Sequence, residues 1–416
     1  MKRLLKVTAM TGLLTLLKMA MGFVIAKVVA IYAGPTGLAM LGQVQSLVGS
    51  LNGIINAPAG SGVVRYTAEN KAHGFDACAP WWRASLQWIL IISAIAIPLG
   101  VLLAQPIAAG LFQDKELAWI VVATVCLLPL AAIGTLFNSV INGQELYRRY
   151  VALGMLTVLI SSGMMLVMIG LYNIQGALLA ASVQAALIGL VMLFANIRQP
   201  WFKLRYWWGA VEPKARKQIG GYMLMASASA LTVPVSLILV RNILIDQVGW
   251  DGAGQWQAVW KISEVYLGII TIALGTYFLP RLSKIECSKL ILLELNKTAI
   301  TVIPIVIAIA SIIFLLRDTI VLILFTKSFY EARNLFAIQL LGDILKISSW
   351  VYAYPLLSRG VVKLFVFIEF SFSLTFVGLV FFFVKFYGLQ GATIAYALNY
   401  LLCLIFVLFK LRRIVK

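Results

Sequence analysis

Long unbroken runs of apolar residues are the feature that most limits what this chain can fold into. LTVLISSGMMLVMIGLY (156–172) and ITVIPIVIAIASIIFLL (300–316) are two of them. A helix needs about 20 apolar residues to cross the hydrocarbon layer, and a spanning segment must satisfy its own backbone hydrogen bonds. The runs lack the alternation of a barrel strand. With 62% hydrophobic and 12% charged residues, the chain is predicted to be an all-α polytopic membrane protein.

The apolar runs predict about twelve transmembrane helices. The first six lie near residues 7–32, 38–64, 84–110, 117–142, 151–171 and 176–196. The second six lie near residues 218–245, 256–281, 298–316, 333–357, 364–386 and 391–409.

Basic residues are distributed unevenly between the alternate loops. With a cytoplasmic N-terminus, the cytoplasmic segments hold 24 Lys and Arg, and the external loops hold five, which are Lys115, Arg317, Lys327, Arg333 and Lys385. Cytoplasmic loops carry the excess of Lys and Arg, so both termini are predicted to be cytoplasmic. The net charge of +19 is therefore spread over many loops as a topology signal. A nucleic-acid partner, which would need one basic patch, is not expected.

Three weak internal matches indicate a duplicated architecture. LYNIQGALLAAS (171–182) resembles FYGLQGATIAYA (386–397), LLAQPIAAGLF (102–112) resembles LLRDTIVLILF (315–325), and GPTG (34–37) corresponds to WDGAG (250–254). We predict two six-helix halves, 1–197 and 218–416, joined by a basic and aromatic cytoplasmic linker, 198–217. Six spans per half relate the halves by a pseudo-two-fold axis along the membrane normal. Repeats of this kind place a substrate site between them and alternate its access.

Eight charged residues fall inside the predicted spans, where each costs at least about 2.5–3.5 kcal/mol on insertion scales. The bases are Lys18, Lys27, Arg241, Lys261 and Lys346, and the acids are Glu264, Asp343 and Glu369. Lys261 with Glu264, and Asp343 with Lys346, are three residues apart on one helical face. These pairs either neutralise themselves and hold helices together, or serve function.

The remaining bases suggest a cationic cavity. Lys18 has no partner in its own span, and Lys27 is near the outer end, where it either snorkels or lines the cavity. Arg241 is expected in the same water-filled space. An excess of bases over acids gives a positive field, which suits a phosphate or pyrophosphate and repels a cationic drug.

Catalysis has few possible sites in this sequence. The single histidine, His73, falls in a loop, and the four cysteines (Cys78, Cys126, Cys287 and Cys403) lack metal spacing. No nucleotide-binding or nucleophile motif occurs. We therefore predict no enzyme activity, no cofactor and no metal.

Four stretches carry a resemblance to a known family: 16–43 (LLKMAMGFVIAKVVAIYAGPTGLAMLGQ), 231–244, 254–285 and 335–356 (LFAIQLLGDILKISSWVYAYPL). Over essentially its whole length the chain resembles the Wzx-type flippases of the multidrug/oligosaccharidyl-lipid/polysaccharide exporter superfamily. It is most similar to those that handle enterobacterial common antigen and O-antigen units. The resemblance implies a V-shaped protein of the bacterial inner membrane around a central cavity.

The resemblance also implies a substrate and site residues. The substrate would be an undecaprenyl-pyrophosphate-linked oligosaccharide, flipped from the cytoplasmic to the periplasmic leaflet. Lys18, Lys27, Arg241 and Lys346 would line the cationic cavity. Lys261, where this chain departs from the family's uncharged residue, is a further candidate for the cavity. Asp343, Glu264 and Glu369 are candidates for coupling to H⁺ or Na⁺. Further partners would be membrane lipids and the polymerase and chain-length proteins of polysaccharide assembly. A cation-coupled drug exporter of the same superfamily and a non-transporting polysaccharide-assembly protein are the alternatives.

Overall fold

The architecture is all helical in the residues that the computed structural model describes, which are 2–282, 285, 287–358 and 362–415. Three loop cations used in the charge tally, Lys284, Arg359 and Lys416, lie outside them. The α-helices are α1 (Lys2–Asn56), α2 (Ser61–Asn70), α3 (Phe75–Leu102), α4 (Ala104–Phe112), α5 (Ala118–Gly143), α6 (Tyr147–Asn196), α7 (Leu204–Trp207), α8 (Pro213–Ala273), α9 (Leu279–Leu282), α10 (Ser288–Leu315), α11 (Arg317–Leu324), α12 (Phe336–Ser358), α13 (Val362–Tyr387) and α14 (Gln390–Val415). A π-helical turn, Leu274–Phe278, follows α8.

The described residues contain nine helices long and apolar enough to cross a membrane. Three of the nine contain most of α1, all of α6 and most of α8. Each of these helices has one non-helical residue inside it, which is Gly34, Asn173 or Gly249. Their φ values are 58°, 51° and 76°, a region that glycine and asparagine adopt most readily. Each of these residues lies at a turn predicted between two spans. Counting each kinked helix as two passes therefore gives the twelve predicted spans.

The backbone breaks recur along the chain at the offset of the sequence repeat. Gly34 and Gly249 both have positive φ, and so do Asn173 and Gly388. Leu103 and Leu316 end α3 and α10 with nearly the same backbone angles, and a short helix follows each. These matches support duplication of a six-helix unit. The boundaries 1–197, 198–217 and 218–416 stay predictions.

The chain divides into two compact units. Unit 1 contains Met1–Tyr32 and Met40–Val235, and unit 2 contains Ala33–Ala39 and Ser236–Lys416. In unit 1, α5 and α6 approach closely at Gly134 and Gly189, where an added methyl would overlap the other helix's backbone.

The predicted linker, 198–217, is part of unit 1, and its aromatic side chains pack against the helices of that unit. Trp201 and Tyr206 are 1% and 4% exposed, and Trp207 stacks on Trp82 of α3 at 5.2 Å between ring centroids. Trp208, in contrast, is exposed. Burial of these rings fixes the linker on the helices of unit 1.

In unit 2, α12 and α14 pack side by side, with α8 and α13 against them. Gly342 of α12 allows this approach, because a Cβ there would overlap the ring of Tyr396 on α14. Tyr396 is only 1% exposed, and its ring contacts Trp260 and Phe376, from α8 and α13. This tyrosine therefore lies at the centre of the four helices.

Candidate functional site

A carboxylate on α12 is enclosed by three hydroxyl groups. Asp343 is fully buried. Its Oδ2 accepts hydrogen bonds from Ser263 Oγ at 2.6 Å and Tyr266 OH at 2.7 Å, and its Oδ1 accepts one from Tyr396 OH at 2.8 Å. We call Ser263, Tyr266 and Tyr396 the hydroxyl socket. All three hydroxyls donate, which suits an ionised carboxylate, since that form only accepts.

One helical turn further on, an ammonium group is surrounded by aromatic rings. Lys346 Nζ lies 5.5 Å from the ring centroid of Trp260, 5.1 Å from Trp350, 5.7 Å from Tyr396 and 5.2 Å from Tyr400. These four rings are the aromatic box. Cation–π attraction operates over about 6 Å and strengthens when the cation is desolvated. The box therefore holds a cation within apolar surroundings through its ring faces.

Asp343 and Lys346 do not form the ion pair that their spacing suggested. Among the described residues, no carboxylate oxygen lies within 4.0 Å of Lys346 Nζ. The three ammonium hydrogens have no protein acceptor there either. Lys346 is partly buried as a whole residue, and its ammonium lies among the four rings.

Tyr396 belongs to both groups. Its hydroxyl donates to Asp343, while its ring is one face of the box around Lys346. One buried side chain therefore contacts both the carboxylate and the ammonium.

The other predicted charges of unit 2 have different surroundings. Arg241, 2% exposed, donates from Nε to Gln257 Oε1 at 2.8 Å. Lys261 and Glu264 form the predicted intrahelical pair, with Nζ and Oε2 2.9 Å apart. Glu369 is partly buried on α13.

Lys18 and Lys27 both belong to α1 in unit 1. The Lys18 side chain is exposed and that of Lys27 is partly buried. Of the eight predicted residues, the structure thus places Asp343 and Lys346 in one cluster of unit 2 and pairs Lys261 with Glu264 in the same unit. Within the described residues, no group of three His, Cys, Asp or Glu side chains is arranged to hold a metal ion.

Sequence reasoning missed the aromatic and hydroxyl residues of this cluster. Trp260 and Ser263 are three residues apart on α8, and Tyr396 and Tyr400 are four apart on α14, so each pair shares one helical face. That spacing is the only signal the sequence offered, and in an apolar helix it equally describes ordinary packing.

Comparison with known proteins gives full-length similarity. No protein-family description matches the chain. It is 28% identical to the curated "Lipid III flippase" of Escherichia coli K12 and, equally, to that of Shigella flexneri, over 98% of this chain and 99% of each relative.

Similar solved structures are transporters of one superfamily. An inward-facing multidrug resistance MATE transporter of the MOP superfamily matches with a TM-score of 0.76 at 15% identity, covering 95% of both chains. A Pyrococcus furiosus MOP transporter, described as having a binding pocket of reversed polarity, matches with a TM-score of 0.67 at 15% identity, over 99% of this chain and 96% of that one.

These findings confirm two predictions. The chain is a polytopic all-α membrane protein with the fold of MOP transporters, and the resemblance to polysaccharide-lipid flippases extends over its whole length. The relatives are flippases and transporters rather than enzymes.

Proposed function

We propose that this multi-pass membrane protein, similar along its length to lipid III flippases, is a flippase for lipid-linked oligosaccharides. Its substrate would be an undecaprenyl-pyrophosphate-linked repeat unit, moved from the cytoplasmic to the periplasmic leaflet of the bacterial inner membrane. Access would alternate between the two sides, driven by an ion gradient. Membrane lipids and the polymerase and chain-length proteins of the same process would be its further partners.

The observation that carries the proposal is the unpaired ammonium of Lys346. A cation without a carboxylate partner is costly in apolar surroundings, and the aromatic box compensates for part of that cost. An anionic ligand supplies the missing partner and hydrogen-bond acceptor together. A pyrophosphate suits this role, because its oxygens accept several charge-assisted hydrogen bonds.

The aromatic box also argues against the drug-exporter alternative. Four rings around a small space are the arrangement that binds cationic ligands in other proteins. Here the ammonium of Lys346 occupies that space. A cationic drug would meet a like charge in low-dielectric surroundings, where repulsion is strong.

Lys18, Lys27 and Arg241 are proposed as additional contacts for the head group. Lys18 has the strongest case, because its side chain is exposed in mid-span. Lys261 is left out of this set, since Glu264 already neutralises it. Asp343, Glu264 and Glu369 are proposed coupling groups. Asp343 is favoured, because Tyr396 links it to the ammonium.

A dye-transport experiment separates the two transporter functions. Everted membrane vesicles containing the protein should take up a fluorescent cationic dye no faster than vesicles without it, with or without a proton gradient. Gradient-driven uptake that is lost in Glu369→Gln or Asp343→Asn would favour the drug exporter instead.

A reporter experiment tests the proposed orientation. Alkaline phosphatase, which is active only in the periplasm, should be inactive when fused after Lys416, because the distribution of basic residues predicts a cytoplasmic C-terminus. Fusion within the external loop at Lys327 should give activity and serves as the control. An active fusion at Lys416 would contradict the orientation.

A further inference from the structure

The aromatic box contains hydrogen-bond donors other than the ammonium of Lys346. The indole N–H groups of Trp260 and Trp350 and the hydroxyl of Tyr400 have no acceptor among the described residues. None of the three is among the fully enclosed polar atoms that lack a partner. The box therefore contains three neutral donors besides its ammonium.

The four rings differ in how far neighbouring rings cover them. Trp260 lies parallel to Phe376, with an interplanar angle of 17°, and Tyr396 packs against Tyr400 at 4.9 Å. No aromatic ring of the described chain stacks on Trp350, which is only partly buried. Trp350 is therefore the ring of the box that no other aromatic ring covers.

From this we infer that the aromatic box is a sugar-binding subsite, in which Trp350 stacks on the sugar attached to the pyrophosphate held by Lys346. The inference rests on the proposed function and names which part of the substrate the box recognises. A sugar ring has an apolar face of C–H groups, which packs on an indole, and a rim of hydroxyls, which accept hydrogen bonds. The sugar bonded to the pyrophosphate is the only one that must lie beside Lys346, and Trp350 is the ring nearest that ammonium.

Two probes distinguish sugar contact from phosphate contact. The first is a short-chain isoprenyl diphosphate that carries one N-acetylglucosamine, and the second is the same lipid diphosphate capped by a methyl group, with equal charge. Binding of each to the purified protein would be measured by calorimetry. Trp350→Ala should weaken binding of the sugar probe about 10-fold and leave the methyl probe unchanged. Lys346→Gln should weaken both probes, because both contain the diphosphate.

Two further variants keep the test decisive. Tyr400→Phe removes a donor without removing a ring, and should weaken only the sugar probe, by a few-fold. Trp208→Ala, which changes an exposed tryptophan of unit 1, should change neither and is the matched control. Equal effects of Trp350→Ala on both probes, or no effect of either box variant, would overturn the sugar contact while leaving the flippase proposal standing. Failure of the parent protein to bind either probe would overturn the proposed function itself.

Discussion

Replacing Lys346 by glutamine should reduce the translocation rate of the lipid-linked oligosaccharide about 10- to 100-fold, and replacing it by glutamate should abolish transport. The expected loss corresponds to one charge-assisted hydrogen-bonding partner of the pyrophosphate, worth about 1.5–3 kcal/mol. Glutamate adds repulsion between two anions in low-dielectric surroundings. Lys346→Arg should be milder, since charge and cation–π contact are both retained.

The matched control for Lys346 is Lys261, another lysine within a helix of unit 2. Its ammonium is already paired with Glu264, whose carboxylate is 58% exposed. An exposed pair of this kind contributes only about 0–1 kcal/mol, and Lys261→Gln should change transport by less than about 3-fold. Equal effects of Lys346→Gln and Lys261→Gln, with both proteins in the membrane at parental levels, would contradict a special role for the boxed ammonium.

Replacing Asp343 should have the second large effect, and the outcome depends on the substitute. Asp343→Ala leaves three buried hydroxyl donors without their acceptor, at about 1–3 kcal/mol each. We expect a clearly lowered unfolding temperature in detergent. Glu264→Ala removes a carboxylate from the same unit that is largely exposed, and should lower this temperature little.

Asp343→Asn tests the coupling proposal, because it keeps shape and acceptor but removes the charge. Its amide can hydrogen-bond to the same hydroxyls, which also accept, so the protein should fold. A ligand shifts a conformational equilibrium only through different affinities for the two states. Without a charge at Asp343, binding at Lys346 can no longer alter protonation through Tyr396. Translocation in Asp343→Asn should therefore be independent of a proton gradient that accelerates the parent. A gradient effect that survives in this variant would exclude Asp343 as the coupling group.

The helical framework could be predicted from the sequence because a membrane-spanning helix needs a long apolar stretch. About 20 apolar residues make a span, and Gly34 and Gly249 fall at turns where the runs are interrupted. The pairing of Lys261 with Glu264 could also be predicted from their spacing, because both residues lie on one face of the same helix. Such features depend only on residues close together in the sequence.

The surroundings of Asp343 and Lys346 could not be predicted, because they depend on which helices are neighbours. Asp343 and Lys346 are three residues apart, which suggested an ion pair. Instead, Tyr396, which is 53 residues from Asp343 in sequence, donates a hydrogen bond to one carboxylate oxygen. Its ring lies beside the ammonium of Lys346. The apolar helices contain several tyrosines. Tyr396 reaches Asp343 because α14 approaches α12 at Gly342, and tertiary packing of this kind leaves no pattern in the local sequence.

Flippase activity can be measured directly as translocation in reconstituted vesicles. Purified protein would be placed in vesicles that contain a lipid-diphosphate-linked oligosaccharide with a fluorescent sugar, and a membrane-impermeant quencher would be added outside at increasing times. We expect inner-leaflet substrate to become accessible much faster than in protein-free vesicles. Lys346→Gln should slow this step, whereas Lys261→Gln should not. If accessibility rises no faster than in protein-free vesicles while the same preparation transports a cationic dye, the protein is a drug exporter and not a flippase.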